Sequence, residues 1–178
     1  MTLASIHPID CRPIPVVGFR GMSKYDWLLL FHVIGAFLLF SGAVVAGLLH
    51  IAATRRQRPS EIGVLLGLIR PAVVAIGVGA ALTLGLGLWL VDEAGYGYGD
   101  GWVIAAIVLW AVGNAAGGRG GRPLGEAGDL ARRLAAEGDR PSEELRRALV
   151  DPRVLLLNYL SLAALVAILV LMVWKPGA

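Results

Sequence analysis

The sequence predicts an all-α polytopic membrane protein, a four-helix bundle with a short cytoplasmic helical hairpin between its third and fourth spans. Three observations predict it. Of the 178 residues, 57% are hydrophobic and only 16% are charged, against roughly 45–50% and 25% in soluble domains. The charges are clumped, leaving four apolar runs near the roughly 20 residues that a spanning helix needs. The basic residues concentrate in the first and third loops between those runs, as they do when such loops share one side of a bilayer. A mean hydropathy of +0.71 agrees. The single cysteine, Cys11, excludes an intrachain disulfide.

Residues 1–21 contain three prolines and no hydrophobic period. They lack the long apolar stretch and small-residue cleavage site of a signal peptide. They read as a disordered tail or a mis-called extension, with Met22 the natural start and no role for His7 or Cys11. A single four-span membrane domain then covers residues 22–178. Its first span, about Trp27–Leu49, holds no Asp, Glu, Lys or Arg. The second, Pro71–Val91, follows "SEIGVLLGLIR". The third, about 100–117, is short and is closed by "GGRGGR". The fourth runs from Pro152 to Trp174, entered through Asp151 with proline at the first helical position.

Residues 118–151 form the one sizeable polar segment. "EAGDLARRLAAEG" reads as a short amphipathic helix stopped by Gly138. "RPSEELRRALV" reads as another, with Ser142 as N-cap and Glu143 and Glu144 in its first turn. Acids balance the arginines here, which suits a solvated helix pair. The tetrapeptide "RPSE" occurs at Arg58–Glu61 and again at Arg140–Glu143, a hint of two duplicated hairpins.

Charge sets the direction. The first and third loops, with the first turn of the fourth span, carry twelve arginines, whereas from Met22 onward the other side carries only Lys24 and Lys175. Cytoplasmic loops collect Lys and Arg. The expected location is therefore the bacterial cytoplasmic membrane, with the arginine-rich loops cytoplasmic and both termini outside. Trp27, Trp89, Trp102 and Trp174 all fall at the outer ends of spans, where an aromatic belt would sit.

His32 is the one ionisable side chain inside the first span. At about 100° per residue, Gly35, Ala36, Gly42, Ala43, Ala46, Gly47 and His50 share its side, while Ile34, Phe37, Val45 and Leu48 lie opposite. Leu28, Leu29, Leu39 and Phe40 interrupt the small face. Small faces let membrane helices approach closely, so His32 points into the bundle. Gly77, Ala81 and Gly85 repeat every four residues on the second span, and Gly113 and Gly117 form a GxxxG on the third. These eight positions (Gly35, Gly42, Gly47, Gly77, Ala81, Gly85, Gly113 and Gly117) are the expected helix-packing set.

Intramembrane ionisable groups are candidates for function. His32 is either a histidine bonded across a helix contact or a haem or metal ligand. Met172, near the outer end of the fourth span, and His50, near the arginines, are secondary candidates. No catalytic residue and no metal cluster is assigned. No nucleotide, Walker-loop or hydrolase motif is present, and no nucleic-acid partner is expected.

The stretches "FHVIGAFLLFSGAVVAG", "RPAVVAIGVGAALTLGLGLWLV", "GYGYGDGWVIAAIVLWAV" and "LMVWKPGA" together resemble the domain of unknown function family 2269, a set of predicted bacterial integral membrane proteins. The resemblance spans roughly Ser23 to Ala178. It implies four membrane helices and no established activity. A more distant likeness is to the copper-resistance protein D family and to the small four-helix membrane protoporphyrinogen oxidase. Both open with a first-span histidine followed by glycine, and in the latter that histidine binds haem b. Only His32 carries over, because the later spans hold no histidine or lysine. By this likeness haem b would rest on His32 alone, on His32 with Met172, or on a second subunit.

The leading functional expectation is a non-enzymatic bundle acting as scaffold or partner of a membrane complex, in contact with lipid and with a second copy or another membrane protein. The alternative is a haem b- or copper-linked redox protein using His32. A third is a small transporter, which would need a polar path that these spans do not supply.

Overall fold

The computed structural model describes residues 21–176. The expected tail, with His7 and Cys11, lies outside them but for Gly21. The described residues form six helices and no strand: α1 (Lys24–Thr54), α2 (Pro59–Gly67), α3 (Ile69–Glu93), α4 (Gly101–Ala136), α5 (Glu143–Leu149) and α6 (Pro152–Trp174). α1, α3, α4 and α6 supply the four segments long and apolar enough to cross a membrane.

Local chemistry starts and stops each helix. Ser23 and Asp26 close a capping box on α1, the Ser23 hydroxyl accepting from the Asp26 N–H and the Asp26 carboxylate from the Ser23 N–H. Pro71 has no N–H for the Gly67 carbonyl four residues back, and the helix divides there into α2 and α3. α3 ends in a Schellman motif. Gly95 takes a φ of +75°, its N–H bonds Asp92, and the Tyr96 N–H bonds Val91. That turn folds Tyr96 back over Val91. Ser142 caps α5, and Asp151 caps α6 ahead of Pro152.

One expectation needs correction. The third span and the first arm of the hairpin that follows it are one continuous helix, α4, 36 residues long. "GGRGGR" does not break it; Gly117 and Gly120 pack on α6, while Gly118 and Gly121 face open space. A Cβ on Gly120 would lie 2.6 Å from Asn158 Oδ1, and one on Gly117 would lie 3.0 Å from Ser161 Oγ. Even Pro123 sits inside α4. The two "RPSE" copies are used differently. Ser142 is an N-cap, but its counterpart Ser60 lies inside α2, where its N–H and hydroxyl both donate to Asp139 at 2.7 Å. Still, the order long helix, short helix, long helix does occur twice.

The long helices pack as two close pairs, α1 with α3 and α4 with α6, which touch each other little along their length. Glycine makes the first seam. A Cβ on Gly35 would meet Leu82 Cβ at 2.7 Å, and one on Gly42 would meet Ile76 at 2.8 Å. Gly79 is tighter still, with Leu39 N at 2.5 Å and the Gly35 carbonyl at 2.6 Å. Ala164 and Ser161 seat α6 against Gly113 and Gly117 of α4.

Three apolar clusters join the pairs. At the arginine-rich end, Ala53, Ile62, Leu66, Ala127, Ala131, Leu145 and Leu149 bring α1, α2, α4 and α5 together. At mid-depth, Leu39, Ala80 and Leu165 meet beside Trp110. At the opposite end, Val91, Trp102 and Val103 pack with Tyr96 and Met172.

Candidate functional site

The helical phase predicted for α1 holds. Gly35, Leu39, Gly42 and His50 are buried, while Phe37 is 71% exposed and Leu48 61%. His32 accordingly points inward. Its ring packs where α3 has no side chain: a Cβ on Gly87 would lie 3.0 Å from His32 Cε1 and 3.3 Å from Nδ1.

Beside that ring the two helix pairs part around a cavity of about 370 Å³. Its mid-depth floor is Leu39, Leu165 and Trp110, and its lid, at the end away from the arginines, is Val91, Trp102 and Met172. The remaining lining is overwhelmingly apolar. Lys175 closes the lid, its ammonium 4.9 Å from the Tyr96 ring centre and 5.8 Å from that of Trp102, a favourable cation–π distance. The chamber is half open rather than sealed, so an acyl chain can enter it.

Three buried polar atoms have no hydrogen-bond partner among the described residues: His32 Nδ1, Trp102 Nε1 and Trp110 Nε1. All three belong to side chains that line the chamber. The Thr83 hydroxyl, also on its wall, is occupied by the Gly79 and Ala80 carbonyls of its own helix.

The secondary candidates separate. Met172 lines the same chamber as His32. His50 does not. It is 3% exposed and its Nε2–H donates to the Leu149 carbonyl at 2.8 Å, tying α1 to the end of α5. No group of three or more His, Cys, Asp or Glu that could hold a metal ion occurs among the described residues. A depression of about 430 Å³ at the arginine-rich end includes Arg56 and Arg146, but these pair with Glu61 and Glu143.

The small residues also divide. Gly35, Gly42, Gly113 and Gly117 lie in intrachain seams. Nothing stands within 4 Å of a Cβ placed on Gly47, Gly77 or Gly85, and Gly77, Ala81 and Gly85 are exposed along one ridge of α3. Gly79, the tightest position, was not in the expected set. Its signal is the second run of small residues on α3, Ala72, Gly79, Ala80 and Gly87. Among the tryptophans, Trp27, Trp89 and Trp174 face outward as a belt would, Trp174 being 77% exposed. Trp102 is corrected: at 5% exposed it is core, turned inward by its contact with Val91, Tyr96 and Met172. Trp102 and Trp110 are the chamber residues that interfacial position alone could not assign.

No curated protein and no solved structure matches the chain. One family does, described as predicted integral membrane protein (DUF2269), over residues 26–176, which takes in the four long helices but for Lys24 and Tyr25, and the chamber lining but for Tyr25. The chain belongs to that family of integral membrane proteins.

Proposed function

We propose that this integral membrane protein is a non-enzymatic scaffold or partner subunit, docked to a second membrane helix through the α3 ridge Gly77–Ala81–Gly85. The observation that carries this reading is the exposure of that ridge. Its glycines meet nothing in their own chain, at the four-residue spacing by which membrane helices approach each other. A second copy is the simplest partner. Fluorescence energy transfer between labelled chains in liposomes tests it. Gly77→Leu with Gly85→Leu is expected to weaken association at least tenfold while leaving the bundle folded. A monomeric wild type, or unchanged association in the double variant, overturns the proposal. Transport is less favoured, because Leu39, Ala80 and Leu165 cross the path from the chamber toward the arginine-rich end.

The orientation that goes with this reading puts the twelve arginines in the cytoplasm of a bacterial cell and both termini outside. A reporter fused after Ala178 should report an external location, and a cytoplasmic signal would reverse the assignment. The shared chamber of His32 and Met172 favours one second reading, a haem or copper centre. One imidazole and one thioether are suitable donors in kind. The visible spectrum and metal content of detergent-purified protein decide it: a Soret band or bound copper that His32→Ala removes supports the centre, and a colourless, metal-free, folded protein rejects it.

A further inference from the structure

We infer that the arginine-rich boundary of the bundle binds anionic phospholipid headgroups, with Arg119 and Arg122 of α4 as the principal contacts and Arg70 and Arg153 at the same level on α3 and α6. The inference is independent of the α3 ridge and of which side of the membrane the arginines occupy. It starts from depth. At about 1.5 Å per residue, the four arginines lie about 26–32 Å along their own helices from Trp89 of α3, Trp102 of α4 and Trp174 of α6. A hydrocarbon core is about 30 Å thick. The arginines therefore stand where the apolar layer gives way to phosphates, and all four side chains are exposed.

Charge is sorted by depth around this level. α6 contains no acid, α3 has none before Asp92, and α4 has none before Glu126, a turn beyond Arg122. Asp129, Glu61 and Glu143, on the far arm of α4 and on the α2 and α5 helices packed there, pair with Arg132, Arg56 and Arg146. Asp151 is taken up in capping α6, where its carboxylate accepts from the Arg153 N–H. Among the described residues no carboxylate lies within ion-pair distance of the four boundary arginines.

Rotation turns the α4 pair toward lipid. Arg119 and Arg122 lie at least about 100° round the helix from each of Gly113, Gly117 and Gly120, which pack on α6, and from each of Val103, Ala106 and Trp110, which line the chamber. Helical side chains lean toward their own N-terminus, which for α4 is the chamber end. The Arg119 guanidinium accordingly donates to the Ala115 carbonyl, one turn back, at 3.4 Å. That one bond leaves most of its N–H donors free and its charge at the hydrocarbon edge, a costly placement unless a counter-charge comes to it. A phosphodiester supplies one, since its two oxygens match the guanidinium fork. A zwitterionic headgroup sets its own cation beside the phosphate and so offsets less of the charge. A soluble acidic partner would have to reach below the headgroups to meet Arg119, whereas lipid phosphates already stand at that level.

The test uses the full chain, delipidated in neutral detergent, and native mass spectrometry of the lipid retained after addition of dioleoylphosphatidylglycerol or dioleoylphosphatidylcholine at equal concentration. Identical acyl chains make the apolar chamber a constant. Phosphatidylglycerol is expected to bind at least about fivefold more tightly, the contribution of a single basic residue near an anionic surface, and added salt should shrink that preference. Arg119→Gln with Arg122→Gln should bring the two lipids within about twofold. Arg70→Gln with Arg153→Gln serves if the α4 pair does not fold, and should lower the preference at least about twofold. Arg133→Gln with Arg147→Gln removes the same charge beyond the boundary and should leave the preference unchanged. Equal retention of the two lipids, a preference that salt leaves unaltered, or one untouched by both boundary pairs would each overturn the inference. An equal loss in the Arg133 and Arg147 variant would assign the effect to net charge and overturn it as well. Displacement of the lipid by glycerol 3-phosphate at equal concentration would make this a site for a soluble phosphate compound and overturn it too.

Discussion

Gly77→Ala and Gly79→Ala place the same methyl group on the same helix, two residues apart, with opposite consequences. At position 79 the new Cβ would lie 2.5 Å from Leu39 N and 2.6 Å from the Gly35 carbonyl, whereas ordinary contact begins at 3.4 Å. Both obstacles are backbone atoms of α1, so no rotamer change relieves them and the α1–α3 seam must open by nearly 1 Å. Overpacking of that kind costs about 1–3 kcal/mol. At position 77 nothing lies within 4 Å. Replacing a helical glycine by alanine favours the helix by up to about 1 kcal/mol, and both variants share that gain. In dilute micelles, where the α3 ridge has no partner helix, their difference isolates the seam, and Gly79→Ala should be less stable than Gly77→Ala by about 1–3 kcal/mol. Unfolding in mixed micelles with increasing SDS, followed by helical circular dichroism, measures it. Two variants within about 0.5 kcal/mol of each other, the usual scatter of surface substitutions, would refute the close backbone contact between α1 and α3.

His50→Phe keeps bulk but strips the Leu149 carbonyl of its partner, and a loss of about 1–3 kcal/mol is expected in the same assay. Leu145→Ala opens the cluster that clamps the helix pairs at the arginine-rich end. It should cost about 2–5 kcal/mol and raise protease sensitivity in the loop between α4 and α5. Asp139 gives a pH test. Two donations from Ser60, chiefly from its backbone N–H, and the nearby Arg58 charge hold its carboxyl below the ordinary carboxylate value. A depressed folded value means that the contribution is present above the unfolded value, about 3.9, and is lost as pH falls through the folded one. The thermal midpoint of wild type should thus exceed that of Asp139→Asn near pH 7, and the gap should start to narrow below about pH 4 and close as pH falls through the depressed folded value. A gap that is constant with pH would remove Asp139 from this role.

Much of this molecule is readable along the chain because bilayer physics is written in composition. Four long helices follow from hydropathy, and the inward turn of His32 follows from the phase of Gly35, Gly42 and Ala46 against Phe37 and Leu48. What escapes is what tertiary contact decides. The "GGRGGR" segment has the local chemistry of a break, yet Asn158 and Ser161 of α6 hold it helical from a distance in sequence. Trp102 has the depth of a belt residue, but depth does not specify rotation, and contact with Met172 and Tyr96 turns it inward. α3 carries two runs of small residues, and the four-residue rule selects Gly77 and Gly85 although α1 packs on Gly79. The chamber was half legible: one wall announced itself through His32, while its Trp110 floor and Trp102 lid depend on how the two helix pairs meet.

α4 also has a mechanical meaning. Its 36 residues make a rod about 54 Å long, against a hydrocarbon core of about 30 Å. One end holds Trp102 and Trp110, and the other holds Ala127 and Ala131 of the arginine-end cluster. Were it to tilt as a rigid rod by about 5° at one end, the other would sweep about 5 Å. The helix that walls the chamber thus also runs without a break to the place where α2 and α5 pack on it, so the two ends of the bundle share one element.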